Sequence, residues 1–267
     1  MTAYLSYFKL RFITGLQYRI SALAGVVTQI FFGLIFIMVY LAFYESGSSN
    51  APMEFNQLVS YLWLNQCLFA LICIWYKDKD ILSLIKNGNI SYELCRPQEL
   101  YFMWYTKILS SRLSQTLLRC VPAFIIAFLL PAPFNLSLPD SGVTFILFLI
   151  SLIIGVLLVT CIVNLFHIIT MFTLDEKGIV GIFFCIADIF SGLTVPLPFF
   201  PNFLLKIADF LPFRYVSDLP FRIYVSNIST NTAIKGIIIQ LVWLFILDIL
   251  GYILSKIALK KAIVQGG

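Results

Sequence analysis

The chain has 267 residues, 60% of them hydrophobic and 12% charged, with a mean hydropathy of +0.95. This composition excludes a water-soluble globule and places the chain among integral membrane proteins, where length sets the number of crossings. The net charge of +5 does not call for a nucleic-acid partner: in the topology predicted below, fourteen of the 18 Lys and Arg fall on one side and only Lys206, Arg214, Arg222 and Lys235 on the other, which is the positive-inside bias.

Residues 1–20 are too polar to span. Tyr4, Leu5, Phe8, Phe12 and Leu16 share one broad helical face opposite Ser6, Arg11, Thr14 and Gln17, with Lys9 at the apolar edge, which predicts an interfacial helix on the cytoplasmic leaflet. Basic residues ahead of an apolar run imitate a signal peptide, but the run is too long and lacks a small-residue cleavage pattern, so it reads as a retained first helix. Residues 21–44 carry no charge and suffice to cross about 30 Å of hydrocarbon. After an outside turn, residues 57–76 return as the second span, with Trp75 and Tyr76 at the interface.

The polar interruption 77–112, KDKDILSLIKNGNISYELCRPQELYFMWYTKILSSR, is far longer than reconnecting two spans requires, and that marks it as a docking surface. Lys77, Asp78, Lys79 and Asp80 alternate in charge and lead into Ile81, Leu82, Leu84 and Ile85, with Lys86 and Asn87-Gly88-Asn89 behind. The pattern predicts a short amphipathic helix with an acidic start and a glycine exit. Glu93 and Arg96 follow three apart, and Pro97 keeps the turn from extending. On chemistry alone, this helix either lies on the lipid surface or serves as a lever for a soluble partner.

Residues 113–130 form the third span, with Arg119 placed to snorkel toward the cytoplasm, and PAPFNLSLPD makes an outside loop. The run from Ser141 to Leu174 is uncharged over 34 residues. It predicts one long helix with its span at 143–174, ending at Asp175-Glu176-Lys177-Gly178. Residues 179–197 make the fifth span, which contains Asp188 and ends at Pro196 and Pro198. The following segment, 198–232, is too charged to span and too apolar for a free loop; with Pro201, Pro212 and Pro220 at its bends, it predicts short helices dipping into the outer leaflet. Residues 233–254 form the sixth span, and Lys256, Lys260 and Lys261 hold the C-terminus inside. The expected fold is therefore a single all-α transmembrane domain over 1–267, with six spans and both termini cytoplasmic.

Catalytic signals are missing. There is no GxxxxGK[ST] phosphate loop, no GxSxG and no HExxH, so the chain reads as no enzyme, and a pump built on it must take its ATP hydrolysis from a separate subunit. The six cysteines lie in apolar runs or in the predicted cytoplasmic loop, without CxxC spacing, and His167 is the sole histidine; neither a disulfide framework nor a metal site is implied. Asp188 and Asp248 lie inside apolar runs and are functional candidates by location. The competing reading pairs each with a neighbouring helix or with water, favoured for Asp248 near a helix end. His167 reads as a hydrogen-bonded packing residue. No internal repeat is visible, unlike inverted-repeat carriers. An ion-coupled carrier using Asp188 and a non-transporting membrane binder or immunity scaffold stay open as alternatives.

Three stretches together carry a resemblance over essentially the whole chain: the amphipathic N-terminus, the loop with GNISYELCRP, and SGLTVPLPFFPNFLLKIADFLPFRYVSDLPFRIY after the fifth span. The chain resembles the ABC-2 type permeases of bacterial ABC exporters, in particular small six-span subunits that occur as pairs. The second stretch is similar to the family's Gly...Leu-x-Arg-Pro pattern, with Cys95 standing where an aliphatic residue is expected. The resemblance implies a coupling helix over Asp78, Lys79, Asp80, Ile81, Leu82, Leu84, Ile85 and Lys86, supported by Gly88, Glu93, Arg96 and Pro97. It also implies an outer gate of re-entrant helices built on Ser191, Gly192, Pro196, Pro198, Pro201, Asp209, Pro212, Phe213, Arg214 and Pro220. It further implies a multi-pass protein of the bacterial cytoplasmic membrane whose partners are ATP-binding cassette ATPase subunits, carrying ATP and Mg, and a second permease, paralogue or self. The outer segment is aromatic and apolar, a composition that suits an amphipathic cargo (a drug, peptide, lipid or glycan) and equally serves plain burial. Export is preferred because nothing resembles a docking surface for a binding protein.

Overall fold

The computed structural model describes residues 2–46, 51–90, 93, 95, 97–173 and 178–261, and among these every regular element is helical. Thr2–Gly15 forms α1 and Arg19–Glu45 forms α2, separated by a break at residues 16–18. α1 ends five residues before the expected boundary and lies along the later helix α6 (Leu100–Leu129). Ser110 donates to the Phe8 carbonyl at 3.0 Å, and the Glu99 N–H donates to the Tyr4 hydroxyl at 3.0 Å. α1 buries no residue fully, as a helix lying on the side of a bundle should.

The second predicted span is not one helix. Phe55–Cys67 forms α3, with the Glu54 N–H donating to Gln57 Oε1 at its start in a capping box. A turn at Leu68 then interrupts it before the short α4, Phe69–Ile72, and residues 73–78 are not helical. The interruption leaves carbonyls without helical partners. The fully buried Arg112 of α6 takes one of them, donating to the Leu71 carbonyl at 2.9 Å with its guanidinium over the Tyr76 ring.

α5 is Lys79–Lys86. α6 begins thirteen residues before the expected start at 113, so most of the second half of the predicted 77–112 loop is helix. Leu100, Met103, Trp104 and Ile108 are buried along that added stretch; its polar Lys107 meets two carboxylates, and Arg112 bonds the Leu71 carbonyl through Nη1 while its Nε and Nη2 are buried without a hydrogen-bond partner. Pro122 lies inside α6, where its missing N–H removes one bond of the ladder.

The long uncharged run forms α7, Gly142–Thr173, within a residue of the expected span, and it is the buried centre of the bundle from Ile154 to Ile168. α11, Thr230–Lys261, packs along it. Gln240 joins the two, bonding Ser151 of α7 and reaching the Tyr215 carbonyl at 2.7 Å.

The fifth predicted span, 179–197, is also shorter than expected. α8 runs Ile179–Ser191 and stops at Gly192, whose φ of +82° is left-handed. Prolines then prevent the helix from resuming, and the chain makes a 3-10 turn at Leu197–Phe199, α9 at Asn202–Phe210, a second 3-10 turn at Phe213–Tyr215 and α10 at Asp218–Tyr224. Thirteen helical residues rise about 20 Å, short of a hydrocarbon core of about 30 Å. Among the described residues, four helices are long and apolar enough to cross a membrane: α2, α6, α7 and α11. Their outward faces carry large apolar side chains, Ile20, Val27, Phe31, Met38 and Phe245 among them, which only lipid or another apolar surface can cover.

Candidate functional site

α5 is held by one carboxylate. Asp78 is its N-cap, accepting the backbone N–H groups of Asp80 and Ile81 at 3.0 Å each. The same Oδ1 accepts from Lys107 Nζ at 2.8 Å, and Lys107 gives a second bond at 2.8 Å to Asp80 Oδ2. Asp78 and Lys107 are 4% and 5% exposed, so this is a buried ion pair with its hydrogen bonds made. The Asp78 N–H donates to His167 Nε2 at 3.2 Å, while His167 Nδ1 lies 2.7 Å from the Val163 carbonyl. An accepting Nε2 puts the proton on Nδ1, so the ring is the neutral tautomer, tying α5 to α7. His167 is thus buried and hydrogen-bonded, with the N-cap of α5 as its partner.

The apolar face of α5 points inward. Ile81, Leu82 and Ile85 are buried and Leu84 is half-buried, whereas Lys79, Asp80, Ser83 and Lys86 are exposed. A helix whose greasy side is already covered by its own protein offers a partner its polar side. Lys107, hydrogen-bonded to Asp80, holds that carboxyl below the usual range, and Arg11, 3.9 Å away, adds to the effect. Gly88 exits the helix at φ +68°. Glu93 is half-buried and Pro97 exposed; Arg96 lies outside the described residues.

At the other end, the stretch after α8 gathers around Asp218. The Tyr61 hydroxyl of α3 lies 3.2 Å from both Asp218 Oδ1 and the Gly192 carbonyl. Ser217 donates to the Ser191 carbonyl and Asn65 to the Leu193 carbonyl, both at 2.7 Å. Arg214 pairs with Asp209 and stands 3.5 Å from Asp218 Oδ2, with Arg222 at 3.8 Å. Burial pushes the Asp218 carboxyl up, while the two guanidiniums pull it down. The prolines act on the backbone: Pro196, Pro201 and Pro212 each stand just before a helical turn, Pro198 lies in the first 3-10 turn and Pro220 in the first turn of α10. Phe213 is buried edge-on against Phe183 of α8, with ring centroids 5.8 Å apart. Of the predicted gate, Ser191, Gly192, Asp209 and Arg214 therefore converge on one network, and the prolines shape the chain that delivers them.

A family model described as ABC-2 family transporter protein matches residues 36–265. The chain belongs to the ABC-2 transporter family. Nothing among curated proteins or solved structures matches it. As a member of the ABC-2 family it is a multi-pass membrane protein, the permease component of an ABC transporter rather than its catalytic one, and association with ABC ATPase components follows from that membership.

The two carboxylates expected within spans, Asp188 and Asp248, have local partners in this ABC-2 permease. Asp188 accepts from the Thr194 hydroxyl at 2.7 Å near the end of α8, and Asp248 of α11 accepts from the Tyr101 hydroxyl of α6 at 2.7 Å. Asp248 thus pairs with a neighbouring helix. Several residues of both networks are not among the predicted site residues: Lys107, Arg11, Tyr61, Asn65 and Asp218. Lys107 is spaced as a surface charge of a loop, and Tyr61 and Asn65 sit in an apolar run with no partner in range. Only Asp218 carried a signal, being one of three acidic or basic residues, with Arg214 and Arg222, spaced four apart.

Proposed function

We propose that this permease is the membrane subunit of an exporter, that α5 is its coupling helix on the cytoplasmic side, and that a second permease subunit completes the transport path. The observation that carries this reading is the attachment of α5: its apolar face is buried within the protein, its N-cap carboxylate is salt-bridged to α6, and the backbone N–H of that N-cap residue is bonded to α7. An element so fixed passes a push to the long helices beneath it, which a surface helix merely resting on lipid does not. An ATPase that changes shape on binding and hydrolysing ATP shifts the permease between two states only through contacts that differ between them. The exposed polar face, Lys79 and Ser83, is the surface for that contact.

In this reading the six crossings are α2, α3 with α4, α6, α7, α8 continued by the chain to Leu197, and α11; α8 alone is too short, and the turns and short helices that follow it complete the depth and form the outer gate, with both termini inside. The cargo is amphipathic, in keeping with the aromatic and apolar composition of that gate.

The test is a mild-detergent pull-down of the chain from its native membrane, with mass identification of the proteins that accompany it. Ser83→Arg should greatly reduce recovery of a Walker-motif ATPase without changing the melting temperature of the chain, and Asn231→Arg, exposed at the start of α11, should not. Equal ATPase recovery from Ser83→Arg and the unmodified chain disproves the coupling role.

A further inference from the structure

A cavity of about 510 Å³ opens where α1 ends, between α2, α5 and α6. Its walls carry five cations, Arg11, Lys77, Lys79, Lys107 and Arg119, against two carboxylates, Asp78 and Asp80. Lys107 is committed to those carboxylates, and the lining as a whole keeps an excess of three positive charges. Arg119 is the residue that ion pairing leaves unexplained. Its guanidinium lies against α2 at Gly25, where an added Cβ would stand 2.8 Å from Cζ, and its Nε is buried without a hydrogen-bond partner. The backbone of α2 has in effect been cleared to admit this side chain. Ser21 and Gln115 add neutral polar groups to the same wall. Within two residues of these lining positions along the chain, Ile20 and Leu23 of α2 and Leu117 and Val121 of α6 are exposed apolar residues.

We propose that this cavity binds the phosphate-bearing headgroup of an anionic phospholipid, held by Arg119 from α6 and Arg11 from α1, with the acyl chains on the apolar surface of α2 and α6. The guanidinium fork matches a phosphate's oxygens and is the side chain suited to them. A free phosphate would meet the same cations, but it would make no use of these exposed apolar residues. The inference does not rest on the coupling role of α5 and is tested by binding alone.

The experiment uses the full-length chain in mild detergent, titrated with phosphatidylglycerol and, separately, with phosphatidylcholine, with bound lipid counted by native mass spectrometry. The unmodified chain should retain phosphatidylglycerol and not phosphatidylcholine. Arg119→Gln should lower retention about fivefold, the effect of one interfacial cation, and Arg119→Lys should recover part of it. Equal retention of the two lipids, or unchanged retention in Arg119→Gln, overturns the site. Should Arg119→Gln fail to remain monodisperse, Arg11→Gln, which removes the cation that α1 contributes to the lining, answers the same question, and unchanged retention there overturns the site as well. Inorganic phosphate is the remaining arm: if it strips the lipid at matched concentration, the occupant is free phosphate and the lipid assignment falls.

Discussion

Both ends of the bundle are organised around a buried aspartate, but the two are satisfied differently. Asp78 has its charge met at 2.8 Å by a buried lysine, and the same oxygen, Oδ1, accepts two backbone N–H groups of α5. Asp218 is fully buried with two arginines at 3.5 and 3.8 Å, and its Oδ2 makes no hydrogen bond. One carboxylate is closed into a tight set of contacts and the other sits in a loose one. Around Asp218, the short, directed bonds are instead those to main-chain carbonyls, from Ser217 to Ser191 and from Asn65 to Leu193. The difference suits the proposed roles, because a lever must not yield where it is attached, whereas a gate must be able to rearrange.

The largest effect is expected where the set is tight. Asp78→Ala removes the cap of α5 and leaves the Lys107 ammonium buried with only the exposed Asp80 as partner. Breaking a buried pair from one side costs about 3–5 kcal/mol, and loss of the cap adds about 1 kcal/mol. Asp78→Asn keeps a side chain that caps well and loses only the charge, so it should fall between the unmodified chain and Asp78→Ala. Melting temperatures of the three proteins in one detergent check that order. If Asp78→Asn equals Asp78→Ala, the cap contributes nothing and the ion pair alone fastens α5.

At the other end, the most sensitive position is a backbone one. Gly192→Ala places a Cβ on a residue at φ +82°, 2.7 Å from the Tyr61 hydroxyl. The left-handed conformation alone costs a non-glycine residue about 1–2 kcal/mol, and the contact must displace Tyr61 from Asp218. A loss of about 2 kcal/mol or more, measured by the same melts, is expected. A smaller loss would show that the turn after α8 relaxes freely, making the outer network looser still.

What the sequence could and could not say follows the same division between local and tertiary signals. The acidic start and glycine exit of α5 are local, and Asp78 and Gly88 occupy those places in the structure. The uncharged run 143–174 is likewise legible, since nothing interrupts it. The direction of the apolar face of α5 was not legible: amphipathic spacing shows that Ile81, Leu82 and Ile85 share a face, not that α7 covers it. The start of α6 was missed because Lys107 and Arg112 look like loop charges until Asp78, Asp80 and the Leu71 carbonyl are brought to them. The breaks at Leu68 and Gly192 divide stretches whose hydropathy alone fits a crossing, and the polar contacts of Asn65 and Tyr61 that accompany them come from residues more than a hundred positions away.

The smallest effect sharpens the comparison within the tight end itself. Asp80 shares Lys107 with Asp78, but its side chain is 70% exposed against 5% for Asp78. Water and salt screen such a pair, so Asp80→Asn should cost only about 0.2–1 kcal/mol at neutral pH, and less as salt is added. Its carboxyl is held below the usual range by Lys107, which fixes the sign of the pH dependence. A folded-state pKa below the unfolded value of about 3.9 gives stability that is present above that pH and is lost as acid protonates the folded carboxylate. Melts of the unmodified chain and Asp80→Asn should therefore differ by a constant small amount between about pH 5 and 8, and converge below about pH 4. A cost matching that of Asp78→Ala would mean that Lys107 relies on its exposed partner as much as on its buried one, and that burial does not distinguish the two aspartates at the attachment of α5.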